Sequence, residues 1–177
     1  VAIAAAAGAA FVRINVLCGA RVTDQGVIEG RAHRVLRLRR GLGAQQIAVL
    51  ADVDVKHSVP LAPRPLEEEV VETIERGGAD GIIVSGAATG RATSVEQVHR
   101  AKACAGTTPI FVGSGVTAET LPGLWPHADG FIVGTAMKRR GVVTEPVEIA
   151  RVEAMLRAFR ACGSAASTTA GDASNER

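Results

Sequence analysis

Five short runs of apolar, mostly β-branched residues constrain this chain more than any other feature. They fall at residues 11–16 (FVRINV), 47–53 (IAVLADV), 81–84 (GIIV), 110–112 (IFV) and 130–133 (GFIV). Each is too short for a helix, and its near-continuous apolarity fits a strand covered on both faces. Helical patterns separate them. Ile28, Ala32, Val35 and Leu36 share one helix face, as do Leu66, Val70, Val71 and Ile74, and likewise Ile149, Val152, Leu156 and Phe159. Val95, Val98 and Ala101 form a weaker stripe. Alternating strands and helices mean a parallel sheet with helices packed on it.

The boundaries carry local signals. Pro65 opens one helix, followed by Glu67, Glu68 and Glu69 at the positive end of its dipole, and Gly77 and Gly78 close it. Thr93 or Ser94 is placed to cap the next. Asp24 and Gln25 are placed to cap a helix starting near Val27. A phrase recurs where helix gives way to strand: Ala79-Asp80-Gly81 and Ala128-Asp129-Gly130. It lies at the amino ends of strands, where barrels keep their stability face, so both aspartates read as structural.

Composition excludes several function classes. Twenty Lys and Arg against 18 Asp and Glu leave a net charge of +2, which offers no basic face for nucleic acid. Aromatic residues are 3% of the chain, too few for base-stacking platforms. Three scattered cysteines make neither a disulfide framework nor a zinc site and fit a reducing, cytoplasmic setting. No run approaches the roughly 20 apolar residues of a membrane helix, so any membrane association is peripheral. From Gly163 onward the residues are small and polar, and a disordered tail over 163–177 is expected after a domain over 1–162.

Ligands of parallel α/β folds bind beyond the carboxyl ends of the strands. Two ends here, Gly113-Ser114-Gly115 and Gly134-Thr135, pair glycine with a hydroxyl, as backbone that cradles a phosphate does. Ser85 and Gly86 end the third strand in the same style, and Arg91 and Lys138 are loop cations able to face a phosphate. Gly113-Ser114-Gly115-Val116-Thr117-Ala118 also matches a dinucleotide fingerprint, but the next strand end, Val133-Gly134-Thr135, lacks the ribose-binding acid. The segment from Asp52 to His57 is the catalytic candidate. An extended chain would put Asp52, Asp54 and Lys56 on one side, with Asn15 at the adjacent strand end. Such carboxylates could act as a general base, position a sugar hydroxyl or hold a divalent cation; no other cofactor is evident and no metal ligands are assigned. Arg13, costly inside a strand unless paired, has Asp52 or Asp54 within reach.

The series RINVLCGARVTDQGVIEG, ADVDVKHSVPL, ADGIIVSGAATG, PIFVGSGVT and ADGFIVGTAMKRRG resembles the BtpA/SgcQ family over about residues 1–160. The resemblance implies a (β/α)8 barrel of the ribulose-phosphate-binding kind, with these strands as its fourth to eighth and three further units before them. About 250 residues make such a barrel, so 177 residues with five strands are expected to hold its carboxyl-terminal part. Open edges would then favour self-association into a homo-oligomer. For function the resemblance implies either a protein binding or transforming a phosphorylated small molecule, or a non-catalytic assembly factor for a membrane complex of the photosystem I type. A complete doubly wound nucleotide-binding domain is the third reading, and strand order separates it from a barrel.

Overall fold

The computed structural model describes residues 1–55, 57–85 and 93–172. In chain order the elements are α1 (Ala2–Ala6), β1 (Phe11–Ile14), β2 (Ala20–Thr23), β3 (Gly26–Glu29), α2 (Ala32–Gly41), β4 (Ala48–Val53), β5 (Ser58–Pro60), α3 (Leu66–Glu75), β6 (Gly81–Val84), α4 (Val95–Cys104), β7 (Ile110–Val112), α5 (Leu121–Leu124), β8 (Gly130–Phe131) and α6 (Ile149–Asp172). The five apolar runs become one sheet in the order β1-β4-β6-β7-β8, and every neighbouring pair is parallel. Strands added in sequence order, with no reversal, follow the winding of a (β/α) barrel and exclude a doubly wound sheet.

The two sheet faces differ. Val49, Ala51, Val53, Ile82, Val84, Ile110 and Val112 point at the helices and pack with Val70, Val98, Ala101, Leu121 and Leu124. A fully buried Val, Leu or Ile contributes about 1.5–3 kcal/mol, so this layer carries most of the cohesion. The concave face carries Arg13, Leu50, Asp52, Ile83 and Phe111, by the alternation of side chains along each strand.

The recurring Ala-Asp-Gly phrase does the same two things at both places. Asp80 accepts a hydrogen bond from the Val49 backbone N–H at 2.8 Å and pairs with Arg39 of α2. Asp129 accepts from the Ile110 N–H at 2.7 Å and pairs with Lys102 of α4 at 2.6 Å. Each aspartate thus ties the start of the preceding strand to the helix before it. The glycines clear space: a β-carbon on Gly81 would lie 3.1 Å from the Phe111 ring, and one on Gly130 2.6 Å from it.

Asp129 gives a pH-dependent prediction. Burial works against its ionisation, but Lys102 and the Ile110 N–H outweigh that and hold its pKa below the usual aspartate value. A lowered native pKa stabilises the fold above the unfolded value near 3.9 and stops doing so as the pH falls through the native one. Asp129→Asn should therefore cost stability at pH 7, by no more than about 1 kcal/mol because the carboxylate is 41% exposed. Urea unfolding should show the difference shrinking below about pH 4.

Four expectations need correction. The helix expected near Val27 begins at Ala32; Val27 and Ile28 lie in β3, part of an antiparallel sheet ordered β3-β2-β5. Asp24 and Gln25 form the hairpin turn instead of a cap. Thr23 Oγ1 accepts from the Gln25 N–H and donates to the Gly26 carbonyl, while Gly26 takes φ +104°. On α6 the inward residues are Met155, Ala158 and Cys162, whereas Ile149 is exposed and Phe159 meets Trp125 edge-on. The third concerns Thr93 and Ser94. Ser94 takes the N-cap position of α4 without a side-chain bond, and the Thr93 hydroxyl donates to the Ser114 carbonyl at 2.8 Å. Helix α6 continues to Asp172, past the boundary drawn at 162.

Candidate functional site

Parallel strands in register bring the carboxyl ends of β1, β4, β6, β7 and β8 to one rim. Beneath it, on the concave face, lies a polar cluster. Asp52 of β4 has a side chain only 3% exposed. It accepts from Arg13 Nε at 2.8 Å and from Arg13 Nη2 at 2.6 Å, a two-pronged contact, and from Ser85 Oγ at 3.1 Å. Taking a carboxylate out of water is costly unless it is paired and hydrogen-bonded, and here it is both. Asp52 in turn raises the pKa of the Arg13 guanidinium, which remains charged.

Gly113, at the end of β7, belongs to this cluster by shape. A β-carbon there would sit 2.5 Å from Ile83 Cγ2, 2.6 Å from Ser85 Oγ and 3.3 Å from Arg13 Nη2. Arg13 therefore reaches from β1 across β4 and β6 to the end of β7. The following loop is tied by Thr93 to Ser114 and by the Thr120 hydroxyl, which accepts from the Thr117 N–H at 2.9 Å. Gly115 takes φ +71°. The helix that follows this loop begins at Leu121 and has four residues. Gly134 and Thr135 are exposed beyond β8, on the strand next to β7, and lead into a single 3₁₀ turn.

The remaining candidates scatter. Asp54 takes φ +49°, so the extended chain needed to align it with Asp52 ends there. Its carboxylate accepts from Gln97 Nε2 at 3.1 Å and lies 3.8 Å from Arg21 Nη2. Asn15 is exposed one residue past β1. Lys56, Gly86 and Arg91 lie outside the described residues. Lys138 donates to the Val143 carbonyl. Among the described residues no three His, Cys, Asp or Glu gather as a metal site requires, and no helix is long and apolar enough to cross a membrane.

Arg21 is the residue that sequence reasoning missed. Its side chain is 5% exposed and donates to Ser58 Oγ at 2.7 Å and Glu69 Oε1 at 2.9 Å. It fastens the antiparallel sheet to α3 at the rim. A strand pattern through Ala20-Arg21-Val22-Thr23, closed by Asp24-Gln25-Gly26, was the available signal. A cavity of about 310 Å³ lies beside Cys18, but its charges are matched, Arg21 with Glu69 and Arg64 with Glu72. Burial pushes the Cys18 thiol up, against a smaller opposing pull from Arg64 and Arg76. Cys18 is thus expected to alkylate more slowly at pH 7 than an unhindered thiol, by about severalfold. Timed iodoacetamide labelling with peptide mass spectrometry measures this; labelling at the free-thiol rate would contradict it.

Comparison with known proteins places this geometry. A family profile described as the BtpA family matches residues 1–161. The chain is 47% identical over 158 residues to the Photosystem I biogenesis protein BtpA of Synechocystis sp., covering 89% of this chain and 55% of that protein. It is 46% identical over 154 residues to an uncharacterized protein of Thermococcus kodakarensis, covering 87% and 58%. The chain thus spans little more than half the length of the curated relatives it matches. An archaeal fructose 1,6-bisphosphate aldolase superposes with TM-score 0.58 at 16% identity, covering 92% of this chain and 62% of that one. N-(5'-phosphoribosyl)anthranilate isomerase from Pyrococcus furiosus gives 0.55 at 14%, covering 86% and 63%. At such identities the likeness is one of fold.

Proposed function

The chain belongs to the BtpA family, and from that premise we propose that it binds a phosphorylated small molecule, such as a sugar phosphate, at the carboxyl ends of its strands. Gly113, Ser114 and Gly115 after β7, with Gly134 and Thr135 after β8, hold the phosphate. Ser85 and Asp52 form the floor below, and Asn15 stands at the rim toward the rest of the molecule. The observation that carries this reading is the adjacency of β7 and β8, which sets two glycine–hydroxyl loops side by side. In barrels the loops after the last two strands are a frequent phosphate site. Two proteins of like fold are named for a phosphoribosyl compound and for fructose 1,6-bisphosphate, which agrees with the reading.

Thermal-shift titration of the protein with sugar phosphates, each beside its unphosphorylated sugar, tests it. A ligand at 100 times its dissociation constant stabilises by about 2.7 kcal/mol, a readily visible rise in midpoint. Stabilisation by phosphorylated members alone is expected. No stabilisation by any of them would overturn the reading.

The name of the Synechocystis relative favours a second reading, a non-catalytic assembly factor for a membrane complex. Attachment would be peripheral. Co-purification with membrane-complex subunits, independent of phosphorylated ligands, is its expected signature.

A further inference from the structure

We propose that Arg13 supplies the cationic contact to the phosphate of the bound molecule, and that Asp52 is the residue that positions it. This deepens the phosphate reading above and rests on it. A planar guanidinium offers two forks for oxyanions: a side fork of Nε and Nη2, and an end fork of Nη1 and Nη2. Asp52 occupies the side fork at 2.8 and 2.6 Å. The end fork remains, and Nη1 has no partner among the described residues. The side chain is 37% exposed while its partner carboxylate is 3% exposed, so the pair is anchored at one end and open at the other.

Direction decides what the open end meets. Arg13 starts on β1, yet its Nη2 lies 3.3 Å from where a β-carbon on Gly113 would be. Gly113 opens the 113–115 loop proposed to cradle phosphate. A larger residue there would fill the space between Ser85 Oγ and the guanidinium. Asp52, itself held by the Ser85 hydroxyl, keeps the guanidinium in one orientation before any ligand arrives, which lowers the entropy cost of binding. A second oxyanion on the end fork gains a charge-assisted, two-pronged contact of the strong kind. Asp52 then holds Arg13 in place and is not required to carry a proton.

The test is a titration of the whole chain, labelled with 15N at arginine, with inorganic phosphate. Guanidinium resonances and calorimetric affinity are the two readouts, for the native protein and for Arg13→Lys, which keeps the charge but lacks the fork. The expected result is a shift of the Arg13 side-chain resonances on adding phosphate, and affinity at least tenfold weaker in Arg13→Lys. Should that variant fail to fold, the resonance shift in the native protein decides alone, because a merely structural Arg13 would not respond to phosphate. Phosphate binding with Arg13 resonances unmoved, or with Arg13→Lys binding equally well, overturns this assignment and leaves the phosphate reading standing. Absence of phosphate binding in the native protein overturns this assignment, and the wider phosphate reading falls with it where the sugar phosphates also fail to stabilise the protein.

Discussion

Replacing Arg13 by methionine is expected to lower folding stability by about 2–3 kcal/mol. The loss comes from what stays behind. Asp52, with its side chain 3% exposed, would keep only the Ser85 hydroxyl at 3.1 Å. Removing one partner of a fully buried pair costs about 3–5 kcal/mol, and the 37% exposure of Arg13 places the expected value below that range. Replacing both partners, Arg13→Met with Asp52→Leu, should recover much of the loss, because no charge is then left in the sheet. Urea unfolding midpoints of the two single variants and the double variant form the measurement. A cost under about 0.5 kcal/mol for Arg13→Met would show that water reaches Asp52 without Arg13.

Gly130→Ala is expected to cost about 1–3 kcal/mol through overpacking. The new methyl group would fall 2.6 Å from Cδ1 and Cε1 of Phe111. On its other side the ring stands over Gly81, with Cε2 3.1 Å from where a β-carbon there would be and Leu50 beside the same spot, so any retreat runs toward the Gly81 backbone and Leu50. The companion variant identifies the cause. Phe111→Leu in the Gly130→Ala background removes the obstructing ring edge, so the double variant should be more stable than the sum of the two losses predicts. Additive losses in thermal unfolding would assign the cost of Gly130→Ala to the backbone instead of the ring.

The parallel sheet was legible because a strand covered on both faces writes itself as a solid apolar run, and all five runs became strands in sequence order. The helix stripes were legible for α3, where Val70 is buried, and misleading where chance spacing intervened. Ile28 stands four residues before Ala32 and so matched a helix face, although Gly26 and the Thr23 hydroxyl bonds turn the chain into a hairpin first. In the site, the pairing of Arg13 with Asp52 followed from the cost of an isolated charge in a strand. What pattern could not supply was the direction of the chain after Val53. One positive φ at Asp54 separates two carboxylates that strict alternation would align, and such a turn is set by tertiary contacts with Gln97 and Arg21.

The antiparallel sheet at the rim is built with its faces inverted. Arg21 points inward, while Val22, Val27 and Val59, in register across the three strands, are 43–64% exposed. All four residues of β3 are exposed. A layer with so little buried apolar surface has little cooperative tie to the main sheet, and the Arg21 guanidinium is one of the contacts that attach it. Its backbone amides are expected to exchange with solvent through local opening, at a lower free energy than those of β4 and β6, as native-state hydrogen exchange would measure. The border of the proposed site and its floor are thus expected to keep different times.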